Sequence, residues 1–157
     1  MIVSTRESQL SREQVLDVGV SQLSGGSRTS VGGYADKVAA ENSEQFDISD
    51  NRSLDEIVGW LLELGYIPSF CTACYREGRT GDRFMSLAKR GLIGNCCAPN
   101  ALMTLGEYLE DYASPATRAK GEKMIAEELK NIPSEKVRRI TEERMRDIAQ
   151  GKRDFRF

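Results

Sequence analysis

Apolar and polar positions follow two different rules along this chain. Residues 1–6, Met-Ile-Val-Ser-Thr-Arg, read as a short apolar strand that turns polar at its end. The run beginning at Ser11-Arg12-Glu13-Gln14 predicts a short helix to about Val18, with Ser11 as its N-cap. A second short strand is expected over 20–24, then a Gly/Ser-rich loop over 25–34, and a third strand candidate over 45–48. Over 54–64 the period changes to that of a helix, with Leu54, Ile57, Val58, Leu61 and Leu62 as its apolar face. Ser53 with Glu56 makes a capping box at its start, and Gly65 stops it.

From Tyr66 onward the pattern is mostly helical, with helices expected near 80–90, 100–112, 115–129 and 134–150. Pro115 after Ser114 and Gly151 after Gln150 are start and stop signals. The last two helices are rich in charge and read as surface or docking helices. Strand–helix–strand–loop–strand–helix in the first part predicts parallel β/α units, whose functional residues lie at strand C-terminal ends. About three such units are too few to close an eight-stranded barrel.

Composition narrows the function classes. At 157 residues the chain has the length of one ordinary domain, and a net charge of −2 disfavours general phosphate-backbone binding. No apolar run reaches membrane-spanning length, nothing reads as a signal peptide, and a cytoplasmic location is expected. The chain contains no histidine, which excludes a His-ligated zinc, a Cys–His nucleophile pair and a Ser–His–Asp triad within it.

The four cysteines are the candidate chemistry. Cys71, Cys74 and Cys97 are spaced C-x2-C-x22-C, and the fourth, Cys96, adjoins Cys97. In a chain of this type such spacing points to metal before disulfide. Three thiolates leave one coordination position open, which an iron–sulfur cubane tolerates and a closed structural zinc site does not. Adjacent residues on an extended chain point to opposite sides, so Cys96 is read as a packed or spare thiol. Iron–sulfur cluster, structural zinc and buried free cysteines all remain open on spacing alone.

Other features are weaker. The glycine-rich loop lacks the Lys-Ser/Thr ending of a P-loop and the dinucleotide fingerprint, so a loop needing positive φ explains it as well as a phosphate cradle. Arg6, in the polar cluster Ser4-Thr5-Arg6-Glu7, is suited to a substrate carboxylate or to a plain surface ion pair. Arg76, Arg79 and Arg83 flank the cysteines, where they offset cluster charge, bind an anion or are simply solvated. Tyr75, Phe84 and Met85 read as core.

Three runs carry a family resemblance: Ile-Val-Ser-Thr-Arg-Glu-Ser (2–8), the Gly-Val-Ser-Gln-Leu-Ser-Gly-Gly-Ser-Arg-Thr-Ser-Val-Gly-Gly-Tyr stretch (19–34), and Pro-Ser-Phe-Cys-Thr-Ala-Cys-Tyr-Arg-Glu-Gly-Arg-Thr-Gly-Asp (68–82). With Cys-Ala-Pro-Asn-Ala-Leu (97–102), Glu-Tyr-Leu-Glu-Asp-Tyr-Ala (107–113) and Gly-Lys-Arg-Asp-Phe-Arg-Phe (151–157), they closely resemble the HydG family of FeFe-hydrogenase maturases along essentially the whole chain. The resemblance implies an α/β fold. Residues 1–66 would be the last β/α units of a radical-SAM TIM-type barrel, and residues 67–157 a mostly helical C-terminal iron–sulfur domain.

It also implies a function. HydG-like enzymes are radical S-adenosylmethionine (SAM) lyases that split L-tyrosine to p-cresol and a dehydroglycine fragment. An auxiliary 4Fe-4S cluster with an additional iron converts the fragment to CO and cyanide, giving an Fe(CO)2(CN) synthon for the hydrogenase. Carried over, Cys71, Cys74 and Cys97 would ligate the auxiliary cluster, and Ser4 and Arg6 would lie near the amino-acid substrate. The C-x3-C-x2-C motif that holds the SAM-binding 4Fe-4S cluster is absent from this sequence. SAM and that second cluster are therefore expected only in the complete enzyme, and this chain alone should not cleave tyrosine. Its expected partners are the missing N-terminal barrel half, whose strands would cover open sheet edges, and hydrogenase maturation proteins. The alternative is a non-catalytic iron–sulfur or zinc-binding module.

Overall fold

The computed structural model describes residues 1–30, 33–34 and 45–157. They divide into two compact units, Met1–Ile57 and Val58–Phe157.

The first unit is held by a helix, one bridge and a buried charge. Helix α1, Gln9–Asp17, is capped by Ser8, whose side chain accepts from the Ser11 N–H at 3.2 Å. The N-cap is thus Ser8 and not Ser11. Both serines satisfy the cap pattern, but only Ser8 has the extended backbone a cap requires, with φ −64° and ψ 156°. Val3, before the helix, and Leu23, after it, form a parallel bridge. The Val3 N–H donates to the Gln22 carbonyl and the Ser24 N–H to the Val3 carbonyl, both at 2.9 Å.

Strand–helix–strand order is therefore kept in miniature, but the expected sheet is not. Among the described residues no strand forms, the 45–48 candidate included. The reading of 1–66 as closing units of a barrel has no sheet to stand on here. The physical reason is that a parallel strand needs a ladder on its flanks and cover on both faces, and a single residue pair supplies neither. Within the glycine-rich loop, Gly26 has φ +64° and Gly25 packs against Leu54 and Ile57. Positions 31 and 32 of that loop lie outside the described residues.

Helix α2, Leu54–Glu63, forms as its caps dictate. The Ser53 N–H donates to the Glu56 carboxylate at 2.7 Å and the Glu56 N–H to the Ser53 hydroxyl at 3.3 Å, a reciprocal capping box. Gly65, at φ +83°, ends it.

The second unit is a helical assembly built on α5, Cys97–Asp111. Helices α6, Pro115–Glu128, and α7, Glu135–Ala149, pack against it. Their N-caps, Ser114 and Ser134, accept from the N–H groups of Thr117 and Val137. Val58, Leu62, Leu102, Leu105, Tyr108, Leu109, Ile125 and Ile132 form the core. Burying each leucine of this set is worth about 1.5–3 kcal/mol. Close packing needs two glycines: a Cβ on Gly121 would stand 2.5 Å from Leu109, and one on Gly106 2.6 Å from Met145. The charge-rich α6 and α7 thus dock within their own chain.

Helix α5 starts three residues before its expected position. Pro99 falls in its first turn, where the missing N–H has no partner to lose. A four-residue helix, α3 (Ala73–Arg76), follows the first cysteine, and α4 covers Gly81–Lys89. Tyr75 and Met85 are exposed, against the expectation of core, and α4, which packs on the 3-10 turn Leu92–Asn95, buries no residue.

Candidate metal centre

The cysteines sit on three local structures of the second unit. Cys71 precedes α3, Cys74 lies within it, and Cys97 opens α5 after Cys96. The Ala73 N–H donates to the Cys71 sulfur at 3.4 Å, and the Cys74 carbonyl accepts from the Arg79 N–H at 2.8 Å. These bonds close the segment into a compact turn around its two thiols. Phe70 ties that turn to α5: its N–H donates to the Thr104 hydroxyl at 3.2 Å, and its ring stacks on Tyr108 with centroids 5.0 Å apart.

All four thiols are free. The Cys97 thiol is pushed up to about 11, first by lost hydration, then by Cys96, and then by Cys74 and Cys71. Cys97 remains an exposed residue. The smaller contributions show that Cys96, Cys74 and Cys71 each lie within electrostatic reach of the Cys97 thiol. Cys96 also directs its thiol to the Ile93 carbonyl at 3.5 Å.

Among the described residues no three Cys, Asp or Glu side chains are gathered tightly enough to hold a single metal ion. Cys71, Cys74 and Cys97 supply free thiols, the donor type that an iron–sulfur cluster and a zinc ion both take.

A polar cavity of about 140 Å³ opens beside Cys71. Arg76, Thr104, Glu107, Asp154 and Arg156 line it. Its charges are largely paired: Arg76 with Asp154, and Arg156 with both Glu77 and Asp154. Arg79 donates to the Phe157 carbonyl. Arg76 and Arg79, which the sequence leaves between cluster, anion and solvent, are thus engaged by residues 154–157. That segment and the buried Asn100 that binds it fall within the resemblance-carrying runs 151–157 and 97–102, but nothing in their spacing points to contact with the cysteine turn.

In the first unit Ser4 and Arg6 are brought together. The Ser4 hydroxyl accepts from the Arg6 N–H at 3.1 Å, and the Arg6 guanidinium lies 4.3 Å above the Phe46 ring. Arg6 is exposed and Ser4 half-buried.

Residues 1–67 match the Biotin and Thiamin Synthesis associated domain. No curated protein sequence matches the chain. Among solved structures, the chain is similar to the crystal structure of HydG, a maturase of the [FeFe]-hydrogenase, at 52% sequence identity with a TM-score of 0.90. The similarity covers 100% of this chain and 34% of that one, so the chain spans about a third of the HydG length. No helix among the described residues is long and apolar enough to cross a membrane.

Proposed function

We propose, for a chain that resembles a C-terminal part of HydG over its whole length, that it carries the auxiliary-cluster region of a HydG-like radical SAM tyrosine lyase serving FeFe-hydrogenase assembly. The observation that carries this reading is 52% identity across 100% of the chain. The match of residues 1–67 to a domain associated with biotin and thiamin synthesis supports the radical-SAM context.

In this reading Cys71, Cys74 and Cys97 supply three thiolates to a 4Fe-4S cluster, and Cys96 stays outside the ligand set. When bound, the auxiliary cluster, with its additional iron, would supply low-potential electrons and an iron open to exchangeable ligands. The chain's own residues set that centre up. Phe70, through Thr104 and Tyr108, holds the Cys71 turn against α5, and the N–H of Ala73 is aimed at the Cys71 sulfur. Ser4 and Arg6 would orient the amino-acid substrate. The cleavage of L-tyrosine to p-cresol, and of its dehydroglycine fragment to CO and cyanide, belongs to the complete enzyme with SAM and its own cluster. Strands of the complete enzyme's barrel would extend the pairing begun by the Val3–Leu23 bridge.

The test is anaerobic reconstitution of the chain with iron and sulfide, followed by metal counts and low-temperature EPR. Uptake of about four irons with a cluster signal supports the reading. Zinc binding with no iron uptake would replace it with a structural module.

A further inference from the structure

The segment 153–157 lies across the cysteine turn and the start of α5, and its contacts reach both. Asn100, buried and one turn beyond Cys97, grips the Phe157 backbone: its Oδ1 accepts from the Phe157 N–H at 2.9 Å, and its Nδ2 donates to the Phe157 carbonyl at 3.4 Å. The same carbonyl accepts from Arg79. Arg76 binds the Asp154 carboxylate through both terminal nitrogens, one of them at 2.9 Å. Arg156 donates to Glu77 at 2.7 Å. From beneath, Glu107 of α5 accepts from the Asp154 N–H at 2.7 Å, and Arg144 of α7 stacks 4.3 Å over the Phe157 ring.

Three of the four residues 76–79 therefore find their side-chain partners in one short segment, which α5 and α7 also hold. Asp154 sits at φ +69°, the one non-glycine among the described residues in the left-handed region. Such a backbone persists where surrounding contacts over-determine it. Single exposed ion pairs contribute little, but several that share one segment with a buried amide clasp act together.

We infer that residues 153–157 form a strap that positions the cysteine turn against α5, setting Cys71 and Cys74 in register with Cys97. The inference deepens the cluster-binding reading and rests on it for the identity of the three ligands. Asn100, Arg76, Glu77 and Arg79 are positioning residues: they act on the thiols through the backbone of the turn and of α5. Without the strap, the turn keeps its Phe70 attachment to α5 but loses the side-chain partners of Arg76, Glu77 and Arg79, and swings away from Cys97.

The experiment compares the intact chain with two variants, one ending at Arg153 and one carrying Asn100→Leu, which removes the clasp at nearly constant volume. Hydrogen exchange is read on the metal-free proteins, then iron uptake and EPR after anaerobic reconstitution. In both variants the amides of 71–79 should exchange at least about tenfold faster, while those of α5–α7 keep their protection. Iron uptake should fall in parallel, or the EPR signal change shape. Unchanged protection over 71–79 in a folded variant overturns the strap. If the shortened chain loses α5–α7, Asn100→Leu decides alone. An intact chain that takes up no iron, yet shows strap-dependent protection, refutes the cluster reading and leaves the strap standing.

Discussion

Arg12 and Asp50 form a buried ion pair at the centre of the first unit. Arg12 has no exposed surface, and its guanidinium donates to the Asp50 carboxylate and to the Ser24 carbonyl. Asp50 is also held by Arg52, at 2.9 Å from Nε and 2.6 Å from Nη2. The Asp50 N–H in turn donates to the Thr5 carbonyl at 2.9 Å. One side chain of α1 thus ties together the segments that follow Val3 and Leu23, a task a sheet performs elsewhere.

Arg12→Met should cost about 3 kcal/mol, because it leaves the buried carboxylate with Arg52 as its remaining charged partner. Denaturant unfolding of the chain measures this. A loss under about 0.5 kcal/mol would show that the pair is not what holds the unit.

Acid should loosen the same unit. The Asp50 pKa is lowered from 3.8 to about 2, foremost by the Arg52 side-chain hydrogen bond, with the Arg52 N–H and both arginine charges adding and burial opposing. A lowered folded-state pKa gives stability that is complete above the unfolded value and lost as pH falls through the folded one. The loss should amount to about 2 kcal/mol between pH 4 and pH 2. Asp50→Asn should remove that component of the acid transition, and an unaltered transition in the variant would contradict the assignment.

Gly121→Ala should destabilise the second unit by about 1–3 kcal/mol, since the new methyl group meets the buried Leu109 at 2.5 Å. Alanine is the better helix former, so an exposed glycine in the same helix would respond with a gain. The sign of the change in thermal midpoint separates the two cases.

Alanine at Cys71, Cys74 or Cys97 should abolish most of the iron bound on reconstitution, whereas Cys96→Ala should retain it. Parallel iron and sulfide determinations decide. Loss on Cys96→Ala equal to the others would make it a ligand and turn the site toward a closed four-thiolate centre.

Much of the helical architecture was legible in the residues alone. Ser53 with Glu56, Gly65, Ser114 with Pro115, and Ser134 act on backbone groups within a turn of themselves, so their effect survives any tertiary context. The start of α1 was misplaced by three residues because Ser8 and Ser11 present the same cap chemistry. The cysteine set was legible as candidates, since C-x2-C-x22-C confines the possible ligands without saying where the sulfurs stand.

Local order, then, was determined by the sequence itself: which stretches are helical, where they stop, and which thiols are available for a metal. The tertiary structure alone decided that the apolar runs at 1–6 and 20–24 meet in one bridge and not a sheet, that Arg12 is interior, and that Arg76, Glu77 and Arg79 answer to residues 154–157. The reason lies in the range of the interactions. A helix closes its hydrogen bonds four residues away and so is written in adjacent positions. A strand ladder, a buried ion pair and the clasp of Asn100 on Phe157 join residues tens of positions apart, and they form only where packing has already brought both partners together.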